Sequence, residues 1–416
     1  MGGFISKILD YLNDTWGDTV LDSGFLPHFI LRRVIRRELR RRLDEITPPF
    51  PQKVIDSVSA RGNPALAAQL EDLASPKFTR MPGAFTPSSS WSRTLAYKMN
   101  FFETVRHQPI AIETDAANRQ NYDVSTGIME NMLGPRIKYS CSYYSTGHET
   151  LEEAEIKMLD LYIERLDLRP GMRVLDVGCG WGAASLYFAE KIPDLEVVGF
   201  SNSRTQREYI EAKAKEMGLS NVRVITGNIT NHEFDVGYFD RVLSVELFEH
   251  VKNYEGLMAK MSRALRTGGL LLVHHFCHRT TPYHYEDGWM ARTFFTGGTM
   301  PSSDLLLYFQ KDMTIKKHWW LNGYHYSKTL DHWLENTKTR KERMMPHLAE
   351  TYGDDMAAVW HTRWKIFHLA SSEMFKRDGG ETWGVTHVLF EKPERRTVAS
   401  IDLVSTDILR SGSERT

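Results

Sequence analysis

Three ionisable residues fall within five positions in Glu246-Leu247-Phe248-Glu249-His250, directly after an apolar run that ends at Val245. Carboxylates attract a cation, and a histidine with an ordinary pKa near 6.5 can take a proton at neutral pH. If the apolar run is a strand of an open α/β sheet, the trio stands at its carboxyl end, where such sheets bind ligands. One acid alone would read as a helix cap, and one histidine alone as a packed side chain. The trio at that position points to a site.

A second constellation is Val174-Leu175-Asp176-Val177-Gly178-Cys179-Gly180-Trp181-Gly182. Glycines let the backbone turn sharply and let a ligand approach the main chain. A helix N-terminus behind them favours a carboxylate or phosphate. NAD, FAD and S-adenosylmethionine (SAM) proteins all use a glycine loop after a strand. Here Asp176 precedes the loop, and the glycines are more tightly spaced than in the pyrophosphate-binding pattern, which favours SAM. The next strand ends in Gly199-Phe200-Ser201-Asn202-Ser203, where an acid that reads a ribose is usual. Asn202 takes that place, with Gln206 one helical turn further on. Gly227-Asn228-Ile229 falls where an adenine-contacting side chain and an apolar wall are expected.

The elements that must hold these residues follow from periodicity. Leu151, Ala154, Met158, Leu159, Tyr162 and Leu166 recur at helical spacing, up to a stop at Arg169-Pro170-Gly171. Short apolar runs at 173–177, 195–200, 222–226, 241–245 and 270–274 then alternate with helical patterns at 183–191, 204–216 and 254–265. That alternation predicts a parallel sheet covered on both faces and, with right-handed crossovers, a doubly wound architecture. Further strands are predicted at 314–321 and 382–391, separated by helical material around 330–334 and 356–376. Five parallel strands plus an antiparallel pair would make a Rossmann-like class I SAM-dependent methyltransferase sheet, a step made by fold analogy.

The expected organisation is a helical N-terminal cap over residues 1–150 and a SAM-binding α/β core over 151–275. An aromatic substrate insertion at 276–312, completing strands and helices at 313–393 and a flexible polar tail at 394–416 follow. Residues 29–43 read as a helix, with Ile30, Leu31, Val34, Ile35, Leu39 and Leu43 on one face and seven arginines around them. The plain reading packs one face on the domain and solvates the other; a membrane-surface role is the lesser alternative. Met1-Gly2 followed by Ser6 formally fits N-myristoylation, a pattern short enough to arise by chance.

Composition excludes several classes. With 52 basic and 53 acidic residues the net charge is −1, so no overall field recruits nucleic acid. Three cysteines without a CxxC pair argue against a disulfide scaffold or structural metal, and no metal ligands are assigned. The sequence shows neither a signal peptide nor an apolar run of spanning length, which makes a cytoplasmic enzyme the expectation. A homo-oligomer stays open.

The motifs together carry a specific resemblance. VLDVGCGWG, SNSRTQ, SVELFEHVKNY, VHHFCH and FFTGGTMPSSDLLLYFQ, with Asp22 to Pro27, Pro109 to Ile112 and Tyr139 to Tyr144, resemble the coclaurine N-methyltransferase family. That family lies within the cyclopropane fatty acid synthase-like methyltransferases, and the similarity runs over nearly the whole chain. The resemblance implies that Tyr139 and Ser140 close over SAM, while Gly178, Gly180, Asn202, Gln206, Asn228 and Ile229 line its pocket beside Asp176. It further implies that Glu246, Glu249 and His250 hold and deprotonate a small amine, alkaloid-like or aromatic.

Such a trio suits that chemistry. An ammonium has no lone pair, and an alkyl amine with a pKa near 10 must lose a proton before it can attack. Aromatic walls can hold a cation through contacts worth roughly 0.5–2 kcal/mol each; the candidates are Phe276, Trp289, Phe294, Phe295, Tyr308 and Phe367. The alternative is a lipid-directed C-methylating or cyclopropanating enzyme. That branch binds bicarbonate as base, usually has Gly in place of Glu246, and carries a tyrosine and a late cysteine in its C-terminal third. Here no cysteine follows Cys277, and Ile366-Phe367-His368-Leu369 lacks the tyrosine. His274 does match a position used in that branch.

Overall fold

The computed structural model of the 416-residue chain describes residues 21–24, 26–46, 90–111, 124–285, 289–295 and 297–394. The myristoylation pattern, residues 1–20, 25, 47–89 and 112–123 of the expected cap, and the tail from residue 395 lie outside them.

The sheet forms where the alternating apolar runs predict it. Strands β1 (Arg173–Val177), β2 (Glu196–Ser201), β3 (Val222–Thr226), β4 (Phe239–Val245) and β5 (Leu265–His278) pair in parallel. After the short hairpin strands β6 (Tyr283–His284) and β7 (Thr299–Met300), β8 (Thr314–Leu321) and β9 (Trp383–Glu391) complete the sheet antiparallel. The order β3-β2-β1-β4-β5-β9-β8 is doubly wound, and it reverses direction beside β1. β5 outruns its expected span at both ends: Leu265 pairs with Phe239 of β4 at its start, and β9 pairs with it as far as His278↔Trp383 at its end.

Successive side chains of a strand point to opposite faces, so the sheet divides the interior in two. Val174, Leu243 and Leu272 pack on one face; Leu175, Val242, Leu271 and Val273 pack on the other. The second face is covered by α2 (Ser90–Arg106), through Phe102 and Val105, and by α7 (Tyr254–Ala264), through Leu257, Met258 and Met261. The first face meets α4 (Leu151–Leu166) and α5 (Ala183–Lys191), with α3 (Thr126–Met132) beside them. Helix α6 (Arg204–Glu216) packs Ile210 and Ala214 against Cys179, Leu186 and Val224. The helix α4 starts in a capping box, Thr150 accepting from the Glu153 N–H and Glu153 from the Thr150 N–H, and ends at left-handed Asp167.

The C-terminal third adds α9 (Tyr324–Thr339), α10 (Lys341–Tyr352) and α11 (Ala357–Phe375) to the first face. Periodicity did not predict α10, which contains Pro346 and buries only Met344 and Leu348. The aromatic segment does not act as one insertion. Its first residues belong to β5, its middle forms the hairpin with α8 (Trp289–Phe294), and Leu305, Leu306 and Phe309 enter the second-face core.

The arginine-rich helix is α1 (His28–Ile46). Leu31 packs on Leu334, Ile366 and Leu369. Both Arg32 and Arg36 pair with the buried carboxylate of Glu373 on α11, and Arg42 donates to the His284 carbonyl at 3.3 Å. Some of its charge therefore works inside the fold. Among the described residues no helix is long and apolar enough to cross a membrane. Vesicles containing phosphatidylserine are expected to carry no substantial fraction of the protein upward in flotation; strong, salt-sensitive flotation would support the lipid-enzyme alternative.

Candidate active site

At the carboxyl ends of β1 and β4 the backbone leaves the sheet in two loops that border a cavity of about 120 Å³. The first is the glycine loop. Gly178 (φ +77°) and Gly182 (φ +80°) lie in the left-handed region, which costs an L side chain roughly 1–2 kcal/mol. The N–H groups of Gly178 and Cys179 both donate to the Phe200 carbonyl, at 2.9 and 3.0 Å, tying the loop to β2. A Cβ on Gly182 would lie 2.6 Å from Ile210 Cγ1, so this glycine lets α5 and α6 pack. Asp176 lines the cavity and accepts from Ser185 Oγ at 2.7 Å. Burial raises its pKa to about 6.

The second loop carries the ionisable trio. Glu246 has φ +50°, a strained conformation for a non-glycine residue of the kind that clusters at functional sites. Its N–H donates to the His274 carbonyl at 2.8 Å, and its carboxylate faces the cavity. Oε1 accepts from the Cys141 N–H at 3.0 Å and lies 3.2 Å from His274 Nε2. Oε2 accepts from the Tyr326 hydroxyl at 2.6 Å. Burial pushes this carboxyl above its ordinary range, and the bonds from Tyr326 and Cys141 pull it part of the way back. His250, in a single 3₁₀ turn, also lines the cavity. Burial first, then the charge of Lys252, bring its pKa down to about 4 against the pull of Glu246, so it is neutral at pH 7.

Glu249 differs from the other two. It is 1% exposed, stands behind the cavity wall, and accepts from the Phe276 N–H at 2.7 Å. Burial, then the nearby charge of Glu246, hold its carboxyl well above the ordinary range. Glu246, at positive φ before the 3₁₀ turn, and Glu249, inside that turn, point apart.

The other sequence-derived positions divide in the same way. Tyr139, Ser140, Gly178, Gly180 and Gln206 line the cavity with Asp176. Asn202 is exposed at the end of β2 and does not line it. Asn228 spends Oδ1 on the N–H and hydroxyl of Thr230, at 2.9 and 2.8 Å, and Ile229 packs toward the second-face core; neither is in the wall. Of the six aromatic candidates, Phe276, Phe295 and Phe367 line the cavity. Phe294 is buried behind them, 4.6 Å from Phe367 and 5.0 Å from Trp364 between ring centres, with Trp289 packed on it at 5.8 Å. Tyr308 lies across the sheet against Phe102, 4.5 Å between ring centres, because its segment joined the other core.

Sequence reading missed Lys138, Tyr162, Trp181, Tyr326 and Trp333 in the wall. Lys138 adjoins Tyr139 and could have been found there; its Nζ donates to Ser140 Oγ at 2.6 Å, and burial lowers its pKa to about 8. Tyr162 and Trp333 look like ordinary members of apolar helix stripes. Tyr326 comes from α9, eighty residues after the carboxylate it holds, and nothing local marks it.

The family model described as mycolic acid cyclopropane synthetase matches residues 111–382. (S)-Coclaurine N-methyltransferase of Thalictrum flavum subsp. glaucum is 40% identical over 312 residues, covering 73% of this chain and 86% of that protein. Pavine N-methyltransferase of the same plant is 35% identical, covering 72% and 85%. Among solved structures, coclaurine N-methyltransferase bound to N-methylheliamine and SAH superposes with a TM-score of 0.77 at 33% identity, covering 93% of this chain and all of that one.

Proposed function

Given that the chain belongs to the mycolic acid cyclopropane synthetase family, we propose that it is a SAM-dependent N-methyltransferase acting on a small, alkaloid-like amine. One observation carries the choice of acceptor: the Glu246 carboxylate, held by the Cys141 N–H and the Tyr326 hydroxyl and in reach of His274, faces an aromatic-walled cavity beside neutral His250. A fixed negative charge attracts an ammonium and gains nothing from the alkene of a lipid chain.

The residues present suit SAM. The wall runs along main chain at Gly178 and Gly180, and a Cβ on Gly180 would meet no atom within 4 Å, so the missing side chain leaves ligand space. We assign Tyr139, Ser140, Asp176, Gly178, Gly180 and Gln206 to the cofactor side. When bound there, SAM supplies a methyl group made electrophilic by the sulfonium.

Substrate handling falls to the protein. Glu246 attracts the ammonium and orients its nitrogen, while Phe276, Phe295 and Phe367 present aromatic faces to the cation. The same burial that disfavours charge on the carboxyl and imidazole also lowers the pKa of a bound ammonium. His250 Nδ1 or Nε2 then has a lone pair to take the proton, and Glu246, a stronger base than a solvated carboxylate, can share it. We place the reaction in the cytoplasm.

The test is Glu246→Gln, which keeps the shape and removes the charge. Loss of a charged partner in a buried site costs about 1.5–3 kcal/mol, so KM for (S)-coclaurine and related secondary amines should rise roughly ten- to hundredfold. The SAM Kd should stay within about twofold of wild type by the same reasoning. Unchanged KM across a panel of primary and secondary amines would contradict the proposal, and turnover of an unsaturated phospholipid in that panel would favour the lipid alternative.

A further inference from the structure

We infer that Arg165, acting through His387 and His274, fixes the proton pattern that keeps Glu246 an ionised acceptor. It is thereby a positioning residue for the bound amine, although it lies outside the cavity. The inference rests on Glu246 being the cation anchor proposed above.

The contacts run through the sheet. Arg165 on α4 lies over the Trp319 ring of β8, 4.2 Å from its centre, and its Nη1 meets Nδ1 of His387 on β9. His387 Nε2 is 2.8 Å from His274 Nδ1; the two histidines are direct cross-strand partners in the β5–β9 ladder. His274 Nε2 reaches Glu246 Oε1 at 3.2 Å. Both rings are 0% exposed, and the Tyr162 hydroxyl lies 2.8 Å from His274 Nδ1.

Hydrogen-bond complementarity then assigns every proton along the line. A guanidinium donates and cannot accept, so the nitrogen facing Arg165, His387 Nδ1, carries a lone pair. The proton of that neutral ring is therefore on Nε2, from which it donates to His274 Nδ1. His274 in turn carries its proton on Nε2, aimed at Glu246. With His274 Nδ1 unprotonated, the Tyr162 hydroxyl can only donate to it and shares that one lone pair with His387. One obligate donor at the far end decides two tautomers and delivers an N–H to the carboxylate. The opposite tautomer of His274 would turn a lone pair toward Oε1 and disfavour its charge.

The surrounding groups agree with neutral rings. Burial, followed by nearby charges that include Lys138, Arg165 and His275, keeps both histidines well below their ordinary range. Burial lowers Arg165 only to about 10, which leaves it cationic at pH 7. Glu246 is also faced by Lys138 and Cys141 from the segment before α4, by Tyr162 from α4, by Glu249 and His250 from the 3₁₀ turn and by Tyr326 from α9. None of these dictates the tautomer of His274.

The experiment is an infrared titration of the Glu246 carboxyl band, identified by its loss in Glu246→Gln. In Arg165→Met and His387→Leu the midpoint should move up by about one pH unit or more, a tenfold change in the ionisation equilibrium. In His387→Gln it should stay near wild type, since the amide oxygen can accept from Arg165 and the amide nitrogen can donate to His274; Arg165→Lys should likewise rescue. With (S)-coclaurine as the amine probe, Arg165→Met should raise KM at pH 6.5, lose that defect as pH rises, and leave kcat and SAM affinity unchanged. An unmoved midpoint in folded Arg165→Met overturns the inference, as does an equal shift in His387→Gln. Should His387→Leu fail to fold, substitution at the half-buried Arg165 decides between the two outcomes. If Glu246→Gln leaves the KM for coclaurine unchanged, the amine-anchor reading fails, while the infrared midpoint still judges the tautomer chain.

Discussion

His250→Ala is expected to lower kcat at pH 7 by roughly 10²–10⁴, the usual share of a general base in a rate-limiting step. With a pKa brought down to about 4 by burial, the imidazole is neutral at pH 7 and offers a lone pair, as a weaker base than a solvated histidine. Wild-type activity should therefore fall as pH drops, first as the raised carboxyls of Asp176 and Glu246 gain protons and then, toward about 4, as His250 does. The mutant must draw on amine that is neutral when it arrives. That fraction grows about tenfold per pH unit below an amine pKa near 10. The gap between mutant and wild type should accordingly narrow as pH rises from 7 to 9, which a misfolded protein would not show. Glu246 can share the proton because both groups face the cavity, and a double His250→Ala/Glu246→Gln enzyme should be the most impaired. Glu249, behind the wall with burial pushing its carboxyl well above the ordinary range, should affect stability more than the pH profile. A folded double variant of His250 and Glu246 that turns over at near-native rate at pH 7 would leave proximity and desolvation to carry methyl transfer.

Gly178→Val should abolish measurable SAM binding while the protein stays folded. Two costs arise at this position. The left-handed φ of +77° strains any L residue, by about 1–2 kcal/mol. A new Cβ would also sit 3.3 Å from Leu247 Cβ and Cδ1, and the branches beyond it would enter the wall that the ligand main-chain contacts need. Gly171→Val separates the two effects: its φ is +81°, and nothing lies within 4 Å of its Cβ. That variant bears the same strain away from the cavity, so it should lose a few degrees of Tm and bind SAM normally. Gly182→Val, with 2.6 Å to Ile210 Cγ1, should lose much more stability. Calorimetry that finds unchanged SAM affinity in folded Gly178→Val would remove the glycine loop from the cofactor site.

Periodicity and glycine placement were enough to locate the sheet, the glycine loop and the acidic loop. All three depend on local signals: short apolar runs select strands, and glycines select the turns after them. A strand that ends at Val245 must deliver Glu246 to the carboxyl edge, whatever packs later. Local signals could not decide which way each side chain would point from there. Glu246 and Glu249 are indistinguishable as letters, yet a 3₁₀ turn and a positive φ send one into the cavity and the other behind its wall. Aromatic residues carried equally little direction: Phe276, Phe295 and Phe367 reached the cavity, whereas Tyr308 followed its neighbours Leu305, Leu306 and Phe309 into the opposite core. The groups that set the charge of Glu246 come from far apart in the chain, Cys141 before α4, His274 on β5 and Tyr326 on α9. Their convergence is a product of long-range packing, since a hydrogen bond depends on position and angle in space and leaves no period in the sequence.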